Sequence, residues 1–257
     1  MRFGYCCGPA QAGILKDAGF DYFEWSVPGL LMPLADGAAF ESALAQARAA
    51  ELPCEALNLM VPADLKITGP EVDSAKLEIY AETMCARAKR AGIQRIVFGS
   101  GGARRVPENF CGEKARAQIV SFLKMLGPRA RAAGVQIVVE PLNRNETNII
   151  NSVAEGAEIV REVNDAGIRL LADSYHVLVE DEPFENITRN LDIITHAHIA
   201  TREGRYLPGV VACEGVQRFL RTLSEGGYNG RVSIEGAGFS ASNVLVAQAT
   251  LRIWTSC

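Results

Sequence analysis

Histidine is scarce in this chain: three among 257 residues, at positions 176, 196 and 198. That is too few for a trinuclear zinc centre built on imidazole. Basic charge is also short, with 26 Lys and Arg against 30 Asp and Glu, a net charge of −4 and a pI near 5.5. A nucleic-acid binder needs a basic face to displace phosphate counterions, so none is expected as partner. No apolar run approaches the roughly 18 residues that span a bilayer. The opening MRFGYCCGPA has no long apolar stretch and no small-residue cleavage site, so a soluble, cytoplasmic protein without a membrane partner is expected. The seven cysteines (6, 7, 54, 85, 111, 213 and 257) are odd in number and scattered, with no CxxC pair. They predict reduced thiols and exclude a tetrahedral thiolate zinc site.

What is present is alternation. Short runs rich in β-branched and aromatic residues recur eight times: Arg2–Cys6, Asp21–Trp25, Cys54–Leu59, Arg95–Phe98, Val135–Glu140, Arg169–Asp173, Thr195–Ala200 and Arg231–Glu235. Each is followed by a longer segment with helical spacing. Several of those segments end in Ala-Gly or Gly-Gly just before the next strand, at Gly19, Gly92, Gly134, Gly167 and Gly226-Gly227, as expected of left-handed helix caps leading into short loops. Strands such as IVFG, IVVE and RLLA are apolar on both sides of the alternation, which predicts parallel strands buried on both faces. Eight β-then-α units with no linker or composition shift predict an α/β fold, a (β/α)8 TIM barrel forming a single domain over residues 1–257. The segment VPGLLMPLADG after Trp25 fits either a packed βα loop or a lid over the barrel mouth.

In such a barrel the active face lies at the C-terminal ends of the strands. Four consecutive strands, five to eight, close on metal-competent residues: Glu140, Asp173, His198 and Glu235, separated by 33, 25 and 37 residues. Adjacent strands lie about 4.8 Å apart, so these side chains can converge on one cation. Three carboxylates gathered in a half-buried mouth repel one another, and a divalent ion compensates them. Three oxygen donors with one imidazole suit Mn²⁺ first, with Mg²⁺ or Co²⁺ as alternatives. His196 shares the side of its strand with His198 and is expected to orient it. Glu24 also ends a strand but is remote in strand order and is not expected to be a ligand; Cys6, Glu24 and Trp25 either line the pocket or pack. Gly99-Ser100-Gly101-Gly102 lacks the GK[ST] of a P-loop and is expected to let backbone approach a substrate, and Arg104-Arg105 to be solvated charges capping that loop.

The segments RRVPENF, VVEPLNRNETN, LLADSYH, HAHIATREGRYLPG and GYNGRVSIEG, about half the chain, closely resemble the D-tagatose 3-epimerase / D-psicose (allulose) 3-epimerase group of the xylose-isomerase-like barrel superfamily. The resemblance implies that Glu140, Asp173, His198 and Glu235 bind one divalent metal ion and that the two glutamates act as an acid/base pair. It implies that His176, Glu146 and an arginine after strand seven hydrogen-bond substrate hydroxyls, and that the protein is a homodimer or homotetramer. For the arginine, anchoring on the trailing Pro-Gly selects Arg205, whereas counting from His198 falls between Arg202 and Arg205.

The expected partner is a small-molecule sugar. The expected enzyme is an isomerase: a metal-dependent ketose epimerase that removes a proton next to a carbonyl through a metal-stabilised enediolate and returns it to the opposite face. The alternative is an aldose–ketose or hydroxypyruvate isomerase, which would return the proton to the neighbouring carbon. A two-metal hydride-shift isomerase would need more carboxylates after strand seven, where only Glu203 stands.

Overall fold

The computed structural model describes residues 1–255; Cys257 lies outside them. Eight strands form one closed parallel barrel in sequence order: β1 (Arg2–Cys6), β2 (Tyr22–Ser26), β3 (Cys54–Asn58), β4 (Arg95–Phe98), β5 (Gln136–Val139), β6 (Ile168–Asp173), β7 (Ile194–Ile199) and β8 (Arg231–Ile234). The barrel closes where β1 pairs with β8, from Arg2 opposite Arg231 to Tyr5 opposite Ile234. An outer ring of helices covers it, among them Ala12–Ala18, Gly37–Ala49, Ser74–Ala91, Gly112–Ala133, Val153–Val163, Glu214–Glu225 and Ala241–Thr255. After β6 two short helices, Ser174–Val179 and Glu185–Thr188, take the place of one long one. Three of the ring helices start on a side chain that accepts a hydrogen bond from the first-turn backbone: Asp36, Asp73 and Ser152, which satisfies an N–H the helix itself leaves unpaired.

The expected glycine caps hold at Gly19, Gly92 and Gly134, each in the left-handed region, and Gly227 turns the chain with φ +80. Gly167 has a different job. The helix before it ends at Val163 with Asn164 as the left-handed cap, and a Cβ on Gly167 would stand 2.5 Å from the carbonyl oxygen of Gly127. Glycine is needed there because the helix Gly112–Ala133 packs directly onto the backbone.

The two interiors of the barrel differ in chemistry. Between strands and helices lies a continuous apolar core. Inside the lumen Val97, Val138 and Leu171 form a separate small cluster on β4, β5 and β6, while β2, β7 and β8 contribute Tyr22, His196 and Ser233, all buried. The lumen is therefore greasy on one side and hydrogen-bonded on the other. The VPGLLMPLADG segment is packed down, beginning with a helical turn at Val27–Leu30: Leu30 and Leu31 are fully buried, and the Arg87 guanidinium donates to the carbonyls of Leu31, Met32 and Ala35. Tethered at four carbonyls, that of Asp36 included, it does not have the form of a free lid.

Gly4 faces the lumen, where a Cβ would meet the Tyr22 ring at 2.3 Å. Gly4→Ala is expected to lower stability by about 1–3 kcal/mol, the usual cost of overpacking, seen as a lower urea midpoint at unchanged m-value. An unchanged midpoint would show that Tyr22 can yield.

Candidate metal centre and active site

Glu140 and Glu235 each stand one residue beyond the end of their strand, Asp173 is the last residue of β6, and His198 lies one residue before the end of β7. The parallel register aligns them: Asp173 pairs with His198, and His198 with Ser233, two residues before Glu235. One ligand atom from each of Glu140, Asp173, His198 and Glu235 lies within 4.8 Å of the others. His198 Nδ1 is 3.1 Å from Glu140 Oε1 and 3.5 Å from Glu235 Oε2.

His198 is aimed from behind by Glu24. The Nε2–H of His198 donates to Glu24 Oε1 at 3.0 Å, which turns Nδ1 toward the carboxylate cluster, where its lone pair becomes available once a cation displaces the proton. The other oxygen of Glu24 accepts from His196 Nε2 at 2.8 Å and from Ser233 Oγ at 2.6 Å, and Tyr22 in turn donates to Ser233 at 2.9 Å. His196 thus shares Glu24 with His198 and also stands edge-on to its ring, centroids 5.0 Å apart. Glu24 is far from β7 in chain order, but a closed barrel brings the two across the lumen. Its placement as a second carboxylate behind the histidine is what sequence order could not show. The strand-closing position shared with the four ligand candidates was the available signal.

The charges show what the cluster lacks. Burial opposes a charge on His198, yet Glu24 and Glu235 push its pKa well above the usual histidine range. Burial and the Glu140 carboxylate lift Asp173 to about 7; burial likewise raises Glu140. For Glu235 burial is outweighed by His198 and Arg205, and its pKa falls to about 2. Asp173 Oδ2 and His176 Nε2 are buried without a hydrogen-bond partner. A set of carboxylates short of positive charge, with an orphaned oxygen pointing into the gap, fits a divalent cation of the oxygen-preferring kind.

The expected substrate contacts gather around this cluster. His176 is 3.6 Å from Asp173 Oδ2 through Nε2. Its Nδ1 accepts from the backbone N–H of Asn143 at 3.1 Å, so Nε2 carries the proton, and burial holds its pKa down at about 3. It is a neutral donor facing the gap. Arg205 reaches across the mouth, pairing with Glu146 at 3.1 Å, with Glu235 in a closer contact, and standing 3.8 Å from Asp173. Its guanidinium lies over the Tyr175 ring and its backbone is left-handed, φ 49, a strain tolerated at sites the surrounding structure fixes. Arg202 instead points to solvent and pairs with Asp181, and Glu203 is exposed. Two residues went unnoticed in the sequence. Asn143 holds both His176 and, through Nδ2 at 3.1 Å, Glu146; Asn58 donates to Glu235 Oε1 at 3.3 Å.

The glycine loop after β4 does something more specific than admit a substrate. A Cβ on Gly99 would stand 2.4 Å from Glu140 Oε2, so the loop backbone forms a wall of the glutamate's own seat. Arg104 corrects the expectation of a solvated charge: it is fully buried, because the loop turns it inward under β4 and β5, while Arg105 stays exposed. Of the cysteines, 6, 7, 54, 85, 111 and 213 are free.

With this geometry in view, comparison with known proteins is decisive for the family. The xylose isomerase-like TIM barrel family matches residues 13–257. The chain belongs to that family. It is similar to a ketose 3-epimerase of Arthrobacter globiformis, 25% identical over 235 residues that cover 89% of this chain and 76% of that one. It is also similar to a 3-dehydro-D-guloside 4-epimerase of Escherichia coli K12, 28% identical over 122 residues, where the match covers 47% of this chain and under half, 46%, of the relative. Among solved structures, a D-psicose 3-epimerase with D-tagatose from Clostridium cellulolyticum H10 superposes with a TM-score of 0.81 over 100% of both chains at 20% identity, a likeness of fold. No helix among the described residues is long and apolar enough to cross a membrane.

Glu24→Gln keeps the size of the side chain but weakens its grip on His198. Metal affinity, measured by calorimetry with Mn²⁺, is expected to fall roughly 10- to 100-fold, the usual effect of losing a carboxylate behind a ligand histidine. Affinity within twofold of the parent would show that His198 needs no such partner.

Proposed function

We propose that this protein is a divalent-metal-dependent ketose epimerase that inverts a carbon next to a carbonyl by proton transfer. The observation that carries this reading is the pair of glutamates, Glu140 and Glu235, at the ends of β5 and β8, whose oxygens stand 3.1 and 3.5 Å from Nδ1 of His198. With both carboxylates opening on the same gap, one can take up a proton while the other delivers one. Glu140, Asp173, His198 and Glu235 would hold the ion, Mn²⁺ in the first place, and when bound it would stabilise the negative charge that develops on the substrate oxygen.

The remaining steps belong to the chain's own residues. One glutamate removes the proton from the carbon beside the carbonyl and the other returns a proton to the opposite face, which inverts that carbon. His176 offers its neutral Nε2–H, and Arg205 and Glu146 offer a donor and an acceptor, to the substrate hydroxyls. They fix the sugar so that the reacting C–H lies between the two carboxylates.

The mouth itself supports a free sugar. It encloses about 360 Å³, lined by Asn58, Leu59, the glycine loop after β4, Leu142 and the charged residues Glu140, Glu146, Glu235 and Arg205. The single lining cation, Arg205, is already engaged by Glu146 and Glu235. A phosphate dianion would enter against three carboxylates. The names of the Arthrobacter and Escherichia coli relatives, both sugar epimerases, support the same class.

Two measurements test this. After chelation the protein should lose turnover of free ketoses and regain it with Mn²⁺ or Co²⁺, and turnover in D₂O should place deuterium on the inverted carbon. Full activity in protein shown to be metal-free, or product without solvent deuterium alongside a second bound ion, would overturn the proposal. Arg205→Ala is expected to lower kcat/KM by about 10²-fold or more with metal retained, whereas Arg202→Ala stays near the parent value. The reverse ranking would move the substrate grip to Arg202.

A further inference from the structure

Arg104 is the most anomalous charge in the molecule. It is among the largest fully buried side chains, and no carboxylate among the described residues makes an ion pair with it. Removing a guanidinium from water is costly even when it is paired, and Leu or Met would fill the same space without that cost. Its contacts show what the charge is used for. Nη1 donates to the carbonyl of Phe98, the last residue of β4, at 2.9 Å, and Nη2 donates to the carbonyl of Glu140 at 2.7 Å. The guanidinium lies against the Phe98 ring.

The regular pairing of β4 with β5 ends at Phe98 opposite Val139, with one further bond from the Glu140 N–H to the Phe98 carbonyl. Arg104 continues the join past the ladder, because a planar fork can take two carbonyls at once. The same residue ends the loop whose Gly99 backbone walls the Glu140 carboxylate. That loop is fastened at its middle by Ser100, left-handed at φ 41, whose Oγ accepts from the Val61 N–H at 3.0 Å. Backbone and carboxylate of Glu140 are thereby held from one direction by one guanidinium and the loop it anchors.

We propose that Arg104 is a positioning residue that fixes Glu140 in its seat by clamping the Phe98 and Glu140 carbonyls together. The proposal rests on the epimerase reading only for its kinetic consequence. In Mn²⁺-loaded enzyme, Arg104→Met should lower kcat by about 10- to 100-fold, the scale of a displacement on the order of 1 Å in a reacting group, with KM changed less than about threefold. Arg104→Lys keeps the charge but not the fork, and should fall between.

A purely structural role would give the same loss per unit of lost stability, so Gly167→Ala, whose Cβ would press on the Gly127 carbonyl at the end of β6 away from the mouth, serves as the stability-matched control. During early turnover in D₂O, the ratio of deuterium in recovered substrate to deuterium in product should shift in Arg104→Met, because one glutamate of the pair is displaced and the other is not. It should not shift in Gly167→Ala. Parent-like kcat and an unshifted ratio in both Arg104 variants would overturn the proposal, as would equal losses in the control.

A readout without substrate separates this from the fate of the epimerase reading. Mn²⁺ affinity by calorimetry is expected to drop roughly tenfold in Arg104→Met, and adding the change to Glu140→Gln should weaken it little further. Full additivity in that double-mutant cycle would show that Arg104 does not act through Glu140. If Arg104→Met fails to fold, Arg104→Lys carries the same cycle. Parent enzyme inert towards every ketose, with the cycle still non-additive, would sink the reaction and keep the positioning role.

Discussion

Glu24, a carboxylate with no exposure to solvent, accepts hydrogen bonds from His196, His198 and Ser233, and the rest of the site depends on it. It joins β2 to β7 and β8 across the polar side of the lumen. It fixes which nitrogen of His198 faces the mouth. Three donors compensate its burial, and the two histidines hold its pKa far below the usual range despite desolvation. A carboxylate so satisfied can remain ionised in the interior, and an ionised Glu24 fixes the His198 ring with Nδ1 toward the mouth rather than leaving it free to turn.

Above that level the balance reverses. Glu140, Asp173 and Glu235 converge with more negative charge than Arg205 and His198 can neutralise, and the consequences are visible in the raised Asp173 and Glu140 and in the unpartnered Asp173 oxygen. In the Glu24 group below, His196 Nδ1 alone lacks a partner among the described residues, whereas above it Asp173 Oδ2 and His176 Nε2 both face the gap unpaired. A divalent cation and the hydroxyls of a sugar are the kinds of group that complete them, and the donors and acceptors around the gap, His176, Arg205 and Glu146, are already oriented by Asn143, Tyr175 and Glu235.

The division of labour between strands and loops follows. Strand ends supply the ligand candidates at a spacing set by the barrel. Loops supply the walls, and do so with backbone held in unusual conformations or pressed close: Gly99 against Glu140, Arg205 and Ser100 in the left-handed region, Gly236 with no room for a Cβ beside residues 205–207. Packed this way, small changes in a loop are felt at a carboxylate.

Much of this was legible in the sequence by itself. Apolar runs with period-two alternation, helical segments between them and glycine caps at Gly19, Gly92 and Gly134 specify the barrel, because each is a local signal read within a dozen residues. Strand-closing residues follow from that same count, so Glu140, Asp173, His198 and Glu235 could be placed on neighbouring strand ends before any coordinates. What only the tertiary structure decided are the contacts made across the lumen or between loops. The distance of Glu24 from β7 in strand order gives no sign that closure of the barrel sets it against His198. Arg104, beside a second arginine in a polar loop, has the local pattern of a solvated charge, and only the turn of that loop beneath β4 and β5 buries it. The choice between Arg205 and Arg202 at the mouth was likewise made by a left-handed residue in a loop. Period and composition report which face of an element meets the core; they carry no information about which distant side chain waits on the other side of it.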